Sequence, residues 1–216
     1  MKTLVKRSVR AAYQKVIGWM ADPLDEAIAA KAASRGRNGL LWFTPEEAAI
    51  AQALGCIIIP SDEQTPGFDD IDVLGPPGIE VLDGFVAEDT GRQALYARGL
   101  LSFDLWARRE YGRGFAELTR EEQIALFRAA EQVGESWTAG SVPQRALVRI
   151  RSILQIRSGR YFAVKLFAQV IRDCFQVFYT SRVSWVWLEY DGPPMDEGYP
   201  VLTGRRDLQN MVTEIR

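Results

Sequence analysis

The amino-acid sequence predicts an all-α protein: a single compact multi-helix domain with an N-terminal amphipathic helix and a C-terminal loop region rich in proline, glycine and aromatic residues. Three observations carry that prediction. Apolar residues recur at spacings of three and four over most of the chain, which gathers them on one face of a helix. The pairs Thr44/Glu47 and Thr119/Glu122 have the Thr-x-x-Glu spacing of a capping box, in which hydroxyl and carboxylate satisfy the orphan N–H groups of a helix start. Alternating residues occur only over Val183–Tyr190, a stretch too isolated to build a sheet.

A chain of 216 residues buries a substantial core as one domain, and 47% hydrophobic with 25% charged residues is ordinary for a globular protein. No apolar run approaches the length that spans a bilayer. A formal net charge of -2 gives no general attraction to nucleic acid, so no such partner is expected. Zero histidines removes Ser-His triads, HExxH zinc helices and most general-base designs near neutral pH. There is no Walker loop and no GxGxxG, and Gly112 and Gly114 follow a helix rather than a strand. No catalytic, cofactor-binding or metal-binding residue is therefore expected in this chain.

The elements follow in order. Residues 1–42 read as a basic amphipathic helix and a connector, and residues 43–216 as the helical domain. Lys2, Lys6, Arg7, Arg10 and Lys15 precede any acid, while Leu4, Val5, Val9, Ala12, Tyr13, Val16, Ile17 and Met20 share a stripe. That helix is expected to lie on its own domain, with membrane or partner attachment as the alternative use of the same face. Its apolar residues are interrupted by charges, and Lys6-Arg7 is not the arginine pair of a twin-arginine leader, so no export signal is read here. A short helix is expected between Ala21 and Trp42, before a flexible break at Gly36–Gly39. Thr44 then caps a helix with Pro45 at its first position, stopped by Pro60.

From Glu63 to Gly78 the chain is acidic and turn-rich, broken at Pro66-Gly67 and Pro76-Pro77-Gly78. Asp69, Asp70 and Asp72 lack the DxDxDG order of a calcium loop and read as turn acids. A carboxylate-based hydrolase built on Asp62, Glu63, Asp69, Asp70 and Asp72 is the enzymatic alternative. Further helices are expected at about 79–88, 92–111 (ended by Gly112), 119–132, from Val142-Pro143 through RALVRIRSILQIR, and after Gly159.

In that last helix Phe162, Leu166, Phe167, Val170, Ile171, Cys174, Phe175 and Phe178 share a face expected to be core. Beyond Tyr179, large aromatics crowd together until Gly192, Pro193, Pro194, Gly198 and Pro200 forbid further helix, which predicts a stiff aromatic loop. Rings on few rotatable bonds suit a protein surface, so Phe178, Tyr179, Trp185, Trp187, Tyr190, Pro193, Pro194, Met195 and Tyr199 are the candidate partner interface. The plainer alternative has the same rings plugging the end of the protein's own core. The two cysteines, Cys56 and Cys174, both fall on predicted helices: buried thiols by default, or joined in one disulfide, or bonded to another chain, in an oxidising compartment.

Three segments, FTPEEAAIAQALGCIIIPSDEQTPG at 43–67, FAELTREEQIALF at 115–127 and FYTSRVSWVWLEYDGPPMDEGYP at 178–200, resemble the gluconate 2-dehydrogenase subunit 3 family in the same order. The resemblance implies a small, mostly helical, non-catalytic subunit accompanying a large FAD-dependent dehydrogenase of the glucose-methanol-choline type, which oxidises sugars, sugar acids or glycosides. It implies FAD in that partner rather than in this chain, and a cytochrome as a further partner. It also implies a role in assembly, stability or export of the flavoprotein. The alternative is a transient maturation chaperone that leaves the mature enzyme. Family resemblance points to the periplasm, whereas the lack of a recognisable leader points to the cytoplasm, and any membrane contact is indirect or through the N-terminal helix. Where the family often has Gly-Gly-Asn near the tryptophan, this chain has Asp191-Gly192-Pro193-Pro194.

Overall fold

A computed structural model describes residues 25–138 and 160–190. The basic helix expected at 2–20, the helix begun at Val142-Pro143, and Pro193, Pro194, Met195 and Tyr199 lie outside the described residues. Helix α1 (25–31) runs into a 3-10 turn at Ala32–Ser34. There follow α2 (Pro45–Ile58), a 3-10 helix at Phe68–Val73, α3 (Gly78–Ala87), α4 (Thr90–Tyr111), a 3-10 turn at Phe115–Glu117, α5 (Arg120–Thr138), α6 (Arg160–Tyr179) and α7 (Arg182–Trp187). No strand occurs among the described residues, and the all-α single-domain expectation holds.

Local chemistry sets the helix ends. Thr44 Oγ1 accepts the Glu47 N–H at 3.1 Å, and the Glu47 carboxylate accepts the Thr44 N–H at 3.1 Å, completing the expected capping box of α2. The second box opens α5, where Thr119 N–H donates to Glu122 Oε2 at 2.9 Å. Asp89 caps α4 by accepting the N–H groups of Gly91 and Arg92 at 2.7 and 3.0 Å, and Gly112 closes it in the left-handed region at φ 73°.

The core is centred on α6, which packs most extensively against α4 and also meets α2, α3 and α5. Leu100, Phe103 and Trp106 of α4 face Ala163, Leu166, Val170 and Cys174 of α6 in the same buried cluster. Phe103, Phe127 and Phe167 continue it as a row of rings across α4, α5 and α6, with centroids 6.5 and 4.6 Å apart. The two axes come close because Gly99 has no side chain: a β-carbon there would lie 2.5 Å from the Leu166 β-carbon. Phe175, expected in the core, is instead exposed on the edge of α6 next to Tyr179. The buried face is completed by Val177, which the apolar stripe did not include.

Long-range polar clamps lock the helices in register. Asp83 on α3 is buried and accepts the backbone N–H groups of Leu41, Trp42 and Phe43, the last at 2.7 Å. The segment before α2, expected to be a loose connector, is thus fastened to the domain. Arg35 reinforces it with a two-pronged ion pair to buried Glu47 at 2.8 and 2.9 Å, its guanidinium 3.7 Å from the Trp42 ring centroid. A second clamp joins α4 to α6: fully buried Asp173 accepts from Tyr96 Oη at 2.9 Å and Gln169 Nε2 at 2.8 Å and pairs with Arg92 at 3.2 Å. Burial and the negative Asp173 push the Tyr96 hydroxyl far above its ordinary range, so it stays a donor.

Two stability predictions follow from these contacts. Asp83→Ala strips the acceptor from three buried or half-buried N–H groups and is expected to cost about 3 kcal/mol or more, against a smaller loss for Asp83→Asn, read as denaturation midpoints. Gly99→Val drives methyl groups into Leu166 and is expected to lower stability by roughly 1–3 kcal/mol, whereas Gly84→Val, at a position where a β-carbon meets nothing within 4 Å, should not overpack.

Candidate functional site

The end of α6 and the whole of α7 carry the candidate surface. Ser181 turns the chain: its Oγ donates to the Phe178 carbonyl at 2.6 Å and accepts the Ser184 N–H at 3.3 Å, which caps α7. Nothing between Ser181 and Tyr190 breaks a helix, and 182–187 form one rather than the expected aromatic loop or strand. Val183, Ser184 and Val186 are buried, and Trp187, which the 3.6-residue period places on the same side, stays 41% exposed at the last position of α7.

Within this surface the rings brace one another. Trp185 Nε1 donates to the Tyr179 carbonyl at 2.8 Å, and its ring meets Tyr190 edge-on at 6.1 Å and 89°. Tyr190 N–H donates back to the Trp185 carbonyl at 2.8 Å. Phe175 and Tyr179 stack at 6.0 Å, and Trp187 meets Phe178 at 6.3 Å. Of the candidate interface residues, Tyr179, Trp187 and Tyr190 are exposed and Trp185 is half-buried, but Phe178 is buried and serves as their floor. Phe175 and Leu188 belong to the surface although the sequence reading omitted them. Together Phe175, Tyr179, Trp187, Leu188 and Tyr190 expose between 40% and 51% of their area, a density of large apolar groups typical of an interaction site. The signal for Leu188 lay in its place one residue past Trp187; for Phe175 it lay in its i,i+4 spacing to Tyr179.

Two grooves flank α7. One, of about 410 Å³, lies between α7 and the turn at 61–66 and is lined by Asp62, Glu63, Asp70 and Glu189 together with Val183, Val186 and Trp187. The other, about 390 Å³, has Arg182 beside Leu74, Pro76, Val81 and Val177. The turn between α2 and the 3-10 helix is shut tight. Asp62 Oδ1 accepts the Gln64 and Thr65 N–H groups at 2.8 Å each, bonds that hold its carboxyl below the ordinary range. Asp70 accepts from Gly67 N–H at 2.6 Å and Ser61 Oγ at 2.7 Å, and a β-carbon on Gly67 would lie 2.3 Å from the Ser61 nitrogen. Asp69 faces elsewhere, accepting from Gln52 and Cys56. Of the five acids considered for hydrolytic chemistry, Asp62, Glu63 and Asp70 share the first groove, Asp62 and Asp70 being engaged in turn hydrogen bonds, while Asp69 is engaged with α2. Among the described residues, no group of three or more metal-binding side chains is placed to hold an ion, and no helix is long and apolar enough to cross a membrane.

Compared with known proteins, residues 45–192, more than half of the chain, match the family described as gluconate 2-dehydrogenase subunit 3. No curated protein and no solved structure matches.

Both cysteines are free thiols. Cys174 is buried in α6, where burial and the neighbouring Asp173 push its thiol above the ordinary range. Cys56 is half-buried on α2 and donates its S–H to Asp69 at 2.9 Å; burial, then that hydrogen bond and the carboxylate's charge, push it up to about 12. Thiolate is therefore scarce at pH 8, and Cys56 in the native protein should alkylate with iodoacetamide at least tenfold more slowly than an ordinary exposed thiol, roughly as its depleted thiolate fraction demands. Asp69→Asn, which removes the negative charge, should accelerate that labelling, followed by intact-mass spectrometry.

Proposed function

The chain belongs to the gluconate 2-dehydrogenase subunit 3 family, and on that footing we propose that it is the non-catalytic small subunit of an FAD-dependent dehydrogenase of sugars, sugar acids or glycosides, gripping the catalytic flavoprotein through the α6–α7 ring surface. The observation that carries this reading is the cluster of Phe175, Tyr179, Trp187, Leu188 and Tyr190, exposed on α6, at the end of α7 and in the turn after it, which is anchored by the Tyr190 N–H to the Trp185 carbonyl. Aromatic anchors presented in a fixed conformation lose little entropy on docking, and a few such residues dominate the energy of an interface of about 800 Å² per side. FAD would sit in the partner. This chain supplies shape and stability to the assembly, and its presence would favour a soluble, flavin-loaded partner by binding the folded form.

Co-expression of the chain with the large flavoprotein subunit tests the proposal. The expected outcome is a complex that co-purifies at one copy each and survives in the active preparation; loss of this chain from the active enzyme would make it a transient chaperone instead. Trp187→Ala is expected to weaken the complex by about 2 kcal/mol or more, or roughly 30-fold in Kd, if the ring fills a pocket on the partner. Because Trp187 is 41% exposed and ends α7, the variant should keep its helical circular dichroism spectrum. Unchanged affinity in both Trp187→Ala and Tyr179→Ala would remove this surface from the interface.

A further inference from the structure

The groove between α7 and the turn at 61–66 is distinct from the ring surface in one respect: its charge. At its floor lie Val183 and Val186, almost fully buried, and the exposed Trp187 ring supplies most of its accessible large apolar surface. Four carboxylates, Asp62, Glu63, Asp70 and Glu189, stand around that floor, and no lysine or arginine is among the described residues that line it. Asp62 and Asp70 are held rigidly by hydrogen bonds within the turn. Glu63 and Glu189 are exposed, and neither makes an ion pair among the described residues. Glu189 also has φ 53°, a left-handed conformation uncommon for a side chain other than glycine or asparagine, at the point where the chain leaves α7 beside the groove.

We propose that this acid-rimmed groove receives a segment of the flavoprotein subunit that pairs an apolar side chain, seated against the exposed Trp187 ring, with a lysine or arginine reaching Glu63 and Glu189. The inference rests on the subunit reading above and states what chemistry the partner must bring. The physical ground is the cost of desolvation. A neutral or acidic partner that covered the groove would bury carboxylates with no compensating charge, which is strongly unfavourable, whereas a cation at the rim turns the same carboxylates into an attraction. The opposite flank of α7 sets the orientation, since its groove carries Arg182 and no carboxylate. A partner spanning α7 therefore meets four carboxylates on one side and one arginine on the other, an asymmetry that favours one docking direction.

The test uses the full chain and the co-expressed large flavoprotein subunit, comparing the wild type with E63K/E189K and with the neutral E63Q/E189Q. Both positions are solvent-exposed and hold no helix together, so the neutral pair separates an electrostatic effect from a folding defect. Charge reversal is expected to slow association about tenfold or more and to abolish its acceleration at low salt, with E63Q/E189Q intermediate and dissociation little changed. Substituting glutamate for the lysine or arginine that cross-links to Glu189 should restore fast association to E63K/E189K. Association of E63K/E189K at the wild-type rate and salt dependence would overturn the groove assignment while leaving the subunit reading intact; a wild-type chain that forms no complex would overturn both. Self-association of the purified chain that E63K/E189K abolishes would give the groove to a second copy and overturn the proposal.

Discussion

The fold depends on one buried carboxylate more than on any other polar group. Asp173 lies in the middle of α6 with no access to solvent, and an unpaired charge there would be untenable. Tyr96 and Arg92, one turn apart on α4, and Gln169, one turn back on α6, supply its partners. Those bonds favour a single register between the two longest central helices, because sliding α6 along α4 would part the buried carboxylate from Tyr96 and Arg92. Apolar packing alone tolerates substitution of one hydrophobe for another; a satisfied buried charge does not, so it converts a sticky contact into a specified one. Gly99 adds a steric limit at the same crossing, since only a bare backbone fits against Leu166.

Fixing α6 fixes the ring surface. The same helix that is enclosed by four others along most of its length emerges at its C-terminal end with Phe175 and Tyr179 stacked on its outer edge. Ser181 then redirects the chain within three residues, and α7 is pinned by Val183 and Val186 below and by the Trp185–Tyr179 hydrogen bond above. Exposed apolar rings usually gain by folding back onto the protein; here the backbone that carries them is already committed to helix, and they remain outside. The arrangement divides one element in two, with the stem buried in the core and the tip left exposed.

What was legible in the sequence was whatever local chemistry decides. The Thr44/Glu47 and Thr119/Glu122 boxes, Pro60 as a stop and Gly112 as a cap act over four residues or fewer, so spacing alone reveals them. The clamps that assemble the helices were not legible. Asp83 reaches back some forty positions to Leu41–Phe43, and Tyr96 meets Asp173 across 77, separations at which a buried acid looks like any surface one. The segment around Gly36–Gly39 read as loose for the same reason, because its fastening comes from Asp83 and from Arg35 on Glu47. The aromatic tail was half legible: Tyr179, Trp187 and Tyr190 are exposed as expected of contact residues. The crowding of rings, however, concealed the Ser181 cap that makes 182–187 a helix.

That helical tip bears on how the chain would act as the small subunit proposed above. A loop carrying the same rings would have to be ordered on contact, at about 1–2 kcal/mol of backbone entropy per residue, and much of the energy of two or three aromatic anchors would be consumed in doing so. Presented at the ends of α6 and α7, the rings would meet a partner already in place, and the energy of burying them would be left to stabilise the folded partner through mass action. The two grooves refine this, since apolar contact is indifferent to direction while Asp62, Glu63, Asp70 and Glu189 on one flank and Arg182 on the other are not. Rings on rigid helices therefore set the strength of such an interface, and the uneven distribution of charge across α7 sets its orientation.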